Sequence, residues 1–207
     1  MGVFGIDSKD VRDILIGVVV LSVCCWISTK GEAPITLQSF GVFMVLRLMG
    51  GRNGTYAVIF HSMLGFVGFP VFTHFMKGPE SFLTPAGCYY VGFIAASLVY
   101  CLIMGFRFSS KHSELQEFTQ IMNILFYWVK LILAMVLAMA ACYWISSLWY
   151  LHVVMRGSGA LTLGAAFKTV ALPQVIPDII KVVLAYVISR AIIFWGGVLK
   201  YGFTDIK

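Results

Sequence analysis

Two side chains, Asp178 and Lys181, stand three residues apart at the mouth of the apolar run PQVIPDIIKVVLAYVISR, residues 173–190. On a helix this spacing puts an acid and a base on one face, one turn apart. Such a pair can accept N–H hydrogen bonds through the carboxylate and balance an anion through the ammonium. A polar ligand carrying both a donor and an anionic group would use them together. A plainer reading is that Pro177 and Asp178 start a helix, where a missing N–H costs nothing and a negative charge meets the positive end of the dipole. Lys181 fits that account badly, since a cation in the first turn opposes the dipole.

The elements that must position this pair follow from composition. The chain has 207 residues, 60% of them hydrophobic and only 12% charged, and its mean hydropathy is +0.91. Soluble domains carry about 25% charged residues, so lipid is the expected solvent. A charge near the centre of a bilayer costs about 2.5–3.5 kcal/mol on insertion scales, which makes an unneeded acid and base a poor feature to retain. The apolar runs recur along the chain at 12–28, 37–50, 54–70, 86–106, 121–149 and 176–199. They predict an all-α integral membrane protein of six spans in a single domain, residues 1–207. The run at 37–50 is short and contains Arg47, and His61 lies within the third. No secretory signal is expected, because no small-residue cleavage site follows the run from Ile14 to Ile27.

Lysine and arginine set the expected orientation. With both termini inside, nine lie on the inner side and four, Lys30, Lys77, Arg156 and Lys168, on the outer, while Lys130 and Lys181 fall within spans. This bias predicts N-in, C-in topology, and it accounts for the net charge of +6 without a nucleic-acid partner. The five cysteines form no CxxC pair, and the four histidines show no HExxH spacing. No metal or cofactor is expected. A phosphate-cradling GxxxxGK[ST] loop is missing from the sequence, so the chain does not hydrolyse ATP by itself. No second catalytic carboxylate or Ser–His pair points to an enzyme.

Four stretches then converge: APITLQSF (33–40), GGRNGTYAVIFHSMLGFVGFPVF (50–72), LTPAGCYYVGFIAA (83–96) and LPQVIPDIIKVVLA (172–185). In order and spacing they resemble BioY, the biotin-specific substrate-binding component of energy-coupling-factor transporters. The family pattern runs PITLQ, G-P-R-x-G, a glycine-rich stretch ending P-V-F, then T-G-G-Y and D-x-x-K. The resemblance implies a six-helix bundle with the vitamin site near the outer face. It implies biotin as the transported ligand, and partnership with a transmembrane coupling subunit and two ATP-binding subunits in a bacterial cytoplasmic (inner) membrane. Movement of the vitamin by toppling of the whole component is a further implication.

Carried over residue by residue, the resemblance assigns Gln38, Tyr89, Asp178 and Lys181 to the site, with His74 where relatives often have Asn. Biotin's ureido ring presents two N–H donors and a carbonyl. Asp178 would accept from the donors, Gln38 or Tyr89 would donate to the carbonyl, and Lys181 or His74 would meet the carboxylate, unless Lys181 instead holds Asp178 in place. Phe72 is the expected apolar wall. The alternatives are a cap of the second helix for Gln38, an interfacial belt role for Tyr89, and an exposed loop position for His74. The chain departs from the family at Ala86, Cys88 and Tyr90, and its first helix lacks the A-x-x-x-A pattern that packs on a coupling subunit. A component for another vitamin is the rival within transport; a polytopic membrane enzyme and a membrane scaffold are the rivals outside it.

Overall fold

A computed structural model of the chain describes residues 7–29, 35–105, 116–154 and 162–201. Six α-helical segments follow in order: α1 (Ser8–Trp26), α2 (Gln38–Val67), α3 (Gly87–Gly105), α4 (Gln116–Trp149), α5 (Leu163–Val170) and α6 (Leu172–Tyr201). Short helical turns at Thr73–Phe75 and Pro79–Leu83 link α2 to α3, and α4 runs on into a wider π turn, Tyr150–Val154. The polar connection expected at 107–120 lies largely outside the described residues. So do the side chains of Lys30, Arg107, Lys111, Arg156, Lys200 and Lys207, on which much of the expected orientation rests.

The second and third expected spans are the two arms of α2. Gly50 breaks it with φ +80° and ψ 162°, a region essentially open to glycine alone. The arms, 38–49 and 51–67, fold back on each other: a Cβ on Gly54 would come within 2.8 Å of the Leu46 Cα. In a continuous helix, residues eight apart are about 12 Å apart along the axis. The first arm spans roughly 18 Å at 1.5 Å per residue, well short of the ~30 Å hydrocarbon core. A Cβ at Gly50 would meet nothing within 4 Å, so its requirement is purely conformational. Gly50→Ala is expected to cost about 1–3 kcal/mol, read as a lower midpoint of thermal unfolding. Gly164→Ala, in equally open space within α5, should be neutral or better.

Side-chain contacts establish which helix ends lie together. At the Gly50 end, Asn53 donates to Asp10 at 2.7 Å and Arg52 at 3.0 Å. These bonds and the Asp7 N–H hold the Asp10 carboxyl below the usual range, the Asn53 bond most of all. Gly51 meets the α3 backbone at Cys101, and the Arg47 guanidinium lies over the Tyr127 ring of α4. At the other end, the Trp26 indole donates to the Pro70 carbonyl and Trp149 to that of Phe82. α1, α3 and α4 therefore run between two ends of the bundle, and α2 goes to the Gly50 end and returns.

A compact core of Leu21, Phe43, Leu46, Phe93, Tyr100 and Leu131 joins the helices. Around it, large apolar side chains point outward from several helices, among them Val19, Leu102, Ile132, Val136 and Val187. Such a belt has a solvent of its own kind only in lipid. Two helical stretches, Gly87–Gly105 and Leu125–Val153, are long and apolar enough to cross a membrane by composition alone. Two of the other long helices, α1 and α6, carry charges within or beside their apolar runs.

The expected start of the last span needs correction. The helix begins at Leu172 rather than 176, so Pro177 lies inside it. Asp178 is therefore nearly two turns from the helix start and cannot serve as its cap. The connection expected at 150–175 also contains a helix of its own, α5, started by Thr162, whose side chain accepts from the Ala165 N–H.

Candidate functional site

Asp178 is only 4% exposed and Lys181 7%. The helix turns both inward, where Lys181 Nζ donates to Asp178 Oδ1 at 2.8 Å. Two further donors reach the same carboxylate from other helices. Ser39 Oγ, at the start of α2, donates to Oδ1 at 2.7 Å. The Tyr143 hydroxyl, on α4, donates to Oδ2 at 2.8 Å. Three donors and a buried counter-charge satisfy a carboxylate that would otherwise be expensive to bury. A carboxylate offers about four acceptor positions, so this one has room for another donor.

The pair forms one side of a small cavity. Gln38, Thr73, Tyr89, Phe93 and Gln174 line it alongside Ser39. They come from α2, the Thr73–Phe75 turn, α3 and α6, so the cavity sits where the connections at one end of the bundle converge. Most of its lining residues carry a polar group, though polar and apolar atoms share the wall about equally. Only about 20 Å³ is wide enough for the centre of a water molecule, roughly one water. A small-molecule ligand would have to part these side chains.

The expected site residues divide into two groups. Gln38, Tyr89, Asp178 and Lys181 all line the cavity. Gln38 is the first residue of α2, whose cap position is Leu37, and it lines the cavity. The Tyr89 hydroxyl donates to the Val170 carbonyl, which ties α3 to the end of α5. Phe72 and His74 are not among the lining residues. Phe72 is fully buried, stacked 4.0 Å from Tyr90 and edge-on to His61 and Phe82. It anchors the loop from beneath. His74 is exposed, with Nε2 3.3 Å from Ser28 Oγ.

Sequence reasoning missed Ser39, Thr73, Tyr143 and Gln174. Ser39 and Gln174 sit inside the quoted stretches beside assigned residues, so polarity there was a usable signal. Tyr143 lies in the long apolar α4 and carried none. Of the departures, Ala86 lines the cavity, while the Cys88 thiol is buried against the Thr84 carbonyl. Tyr90 accepts the Thr73 N–H through its hydroxyl.

This geometry can be set beside known proteins. Residues 4–195 match the BioY family. The chain belongs to that family. A probable biotin transporter BioY of Pyrococcus horikoshii is 27% identical over 184 residues, covering 88% of this chain and 95% of the relative. The biotin transporter BioY of Thermotoga maritima is 40% identical over 79 residues, 38% of this chain. That match spans about half, 47%, of the Thermotoga protein. In fold, the chain is similar to a crystal structure of the S-component for biotin from an ECF-type ABC transporter. The TM-score is 0.66 at 21% identity, with 89% of this chain and 90% of the other covered. The chain thus shares the fold of that S-component, and in it Asp178 and Lys181 are buried where helix ends converge.

Proposed function

We propose that this chain binds biotin and serves as the substrate-binding component of an energy-coupling-factor transporter, taking the vitamin up across the cytoplasmic membrane. The observation that carries this reading is the buried Asp178–Lys181 pair, braced by Ser39 and Tyr143 and opening on a polar cavity in a chain of the BioY family. Biotin offers the matching groups: two ureido N–H donors for a carboxylate, a carbonyl for Gln38 or Gln174, and a carboxylate for an ammonium. Lys181 spends one of its three N–H donors on Asp178, which leaves two for a ligand. Phe93 and the Tyr89 ring supply apolar wall for the remainder.

No bond of the vitamin is made or broken in this reading. Energy comes from partners, a transmembrane coupling subunit and two ATP-binding subunits, since the chain has no phosphate-cradling loop. The cavity opens outward with both termini inside, the topology favoured by the lysine and arginine bias. The membrane is the bacterial cytoplasmic one.

The test is isothermal calorimetry on the detergent-purified chain with biotin, thiamine and riboflavin. Saturable one-site binding of biotin alone is the expected result. Binding of another vitamin in its place, or of none by a folded sample, would remove the proposal.

A further inference from the structure

Thr73 is fully buried and lines the cavity with Asp178, yet its Oγ1 has no hydrogen-bond partner among the described residues. Its backbone is in the opposite condition. The Thr73 N–H donates to the Tyr90 hydroxyl at 3.3 Å, and its carbonyl accepts from Met76 N at 3.2 Å. The Phe72 N–H just before it donates to the Met76 carbonyl at 3.3 Å, and the Phe72 ring is stacked on Tyr90. A fixed backbone thus presents an unpaired hydroxyl at the wall of a polar cavity.

The turn that holds it is strained. His74 and Phe75, the next two residues, have φ of +56° and +58°, a left-handed conformation that non-glycine residues seldom adopt singly, let alone in succession. Burying a hydroxyl without a partner also forfeits its hydration. Valine has nearly the same shape and would carry no such penalty. The strain at His74 and Phe75 is what it costs the fold to hold Thr73 at the cavity. The cost of the unpaired hydroxyl is recovered if it gains a partner when the cavity is occupied.

We propose that Thr73 is a ligand-contacting residue whose hydroxyl is reserved for a polar group of the bound vitamin. This rests on the biotin-binding reading above and adds a contact from the Thr73–Phe75 turn to those from α2, α3 and α6. Through it the turn senses occupancy of the cavity directly.

The experiment compares the intact chain with Thr73→Val and Thr73→Ser, by calorimetry with biotin and by thermal unfolding without it. Thr73→Val should bind biotin roughly 3- to 10-fold more weakly, the worth of one neutral hydrogen bond, and Thr73→Ser should restore most of the loss. Without biotin, Thr73→Val should unfold at or above the wild-type temperature, since only an unpaired hydroxyl is removed. Wild-type affinity in Thr73→Val overturns the inference and leaves biotin binding standing. A lowered unfolding temperature in Thr73→Val, with no recovery of affinity in Thr73→Ser, makes the hydroxyl structural and also overturns it. Failure of the wild type itself to bind biotin overturns both readings together.

Discussion

Asp178→Asn should weaken biotin binding at least about 100-fold and destabilise the protein by about 3–5 kcal/mol, the range for removing one partner of a buried ion pair. Asparagine keeps the shape but loses the charge that Lys181 balances at 2.8 Å. Lys181 is then a buried ammonium with no counter-charge, and Ser39 and Tyr143 lose a charge-assisted acceptor. Lys181→Met should fail in the mirrored way, leaving the carboxylate with two neutral donors. The informative protein is the double variant, Asp178→Asn with Lys181→Met. Removing both charges of a buried pair is often close to neutral for stability, so its unfolding temperature should recover most of the way toward wild type while biotin binding stays lost. Thermal unfolding and calorimetry on the four proteins separate the two roles. If stability does not recover, or binding does, the pair is not the recognition element it is taken to be.

Gly87→Ala carries the second large effect. Gly87 opens α3 directly under the Pro79–Leu83 turn, and a Cβ there would fall 2.1 Å from the Ser81 carbonyl oxygen and 2.6 Å from the Phe82 Cα. Both obstacles are backbone, so no side-chain rotation relieves them. One of the two elements must move. The turn is held by its own contacts: Phe82 packs edge-on against Phe72 and Tyr90, and its carbonyl accepts from Trp149. A shift there disturbs the aromatic cluster beneath Thr73, and a shift of α3 displaces Ala86 and Tyr89 at the cavity. A loss of about 1–3 kcal/mol or more is expected, together with weaker biotin binding. Thermal unfolding and calorimetry read the two effects. Wild-type values in both would mean that the turn yields freely.

Much of this was legible before any coordinates. The apolar runs report the solvent, because a chain with 12% charged residues cannot cover itself with polar surface. The (i, i+3) spacing of Asp178 and Lys181 puts them on one helical face whatever surrounds them. Glycine next to Arg52 and Asn53 marked a break between two apolar runs, although not that the shorter arm would stop well within the thickness of a bilayer. The helix start at Leu172 was misread because Pro177 followed by an acid imitates a first turn; in the folded chain α5 leads into α6 with only Ala171 between them.

What sequence alone determined is local. It set the lipid environment, the helical runs, the acid and base on one face, and the ordered stretches shared with the BioY family. The tertiary structure decided which faces meet. Ser39 reaches Asp178 across 139 residues and Tyr143 across 35, and nothing in the periodicity of either helix announces that encounter. The same packing turned Phe72 under its loop and left His74 at the surface, although both lie in the same motif. A side chain's own pattern fixes the direction it takes from its helix. Its partners depend on the rotation and offset of every other helix, and only the closed bundle sets those.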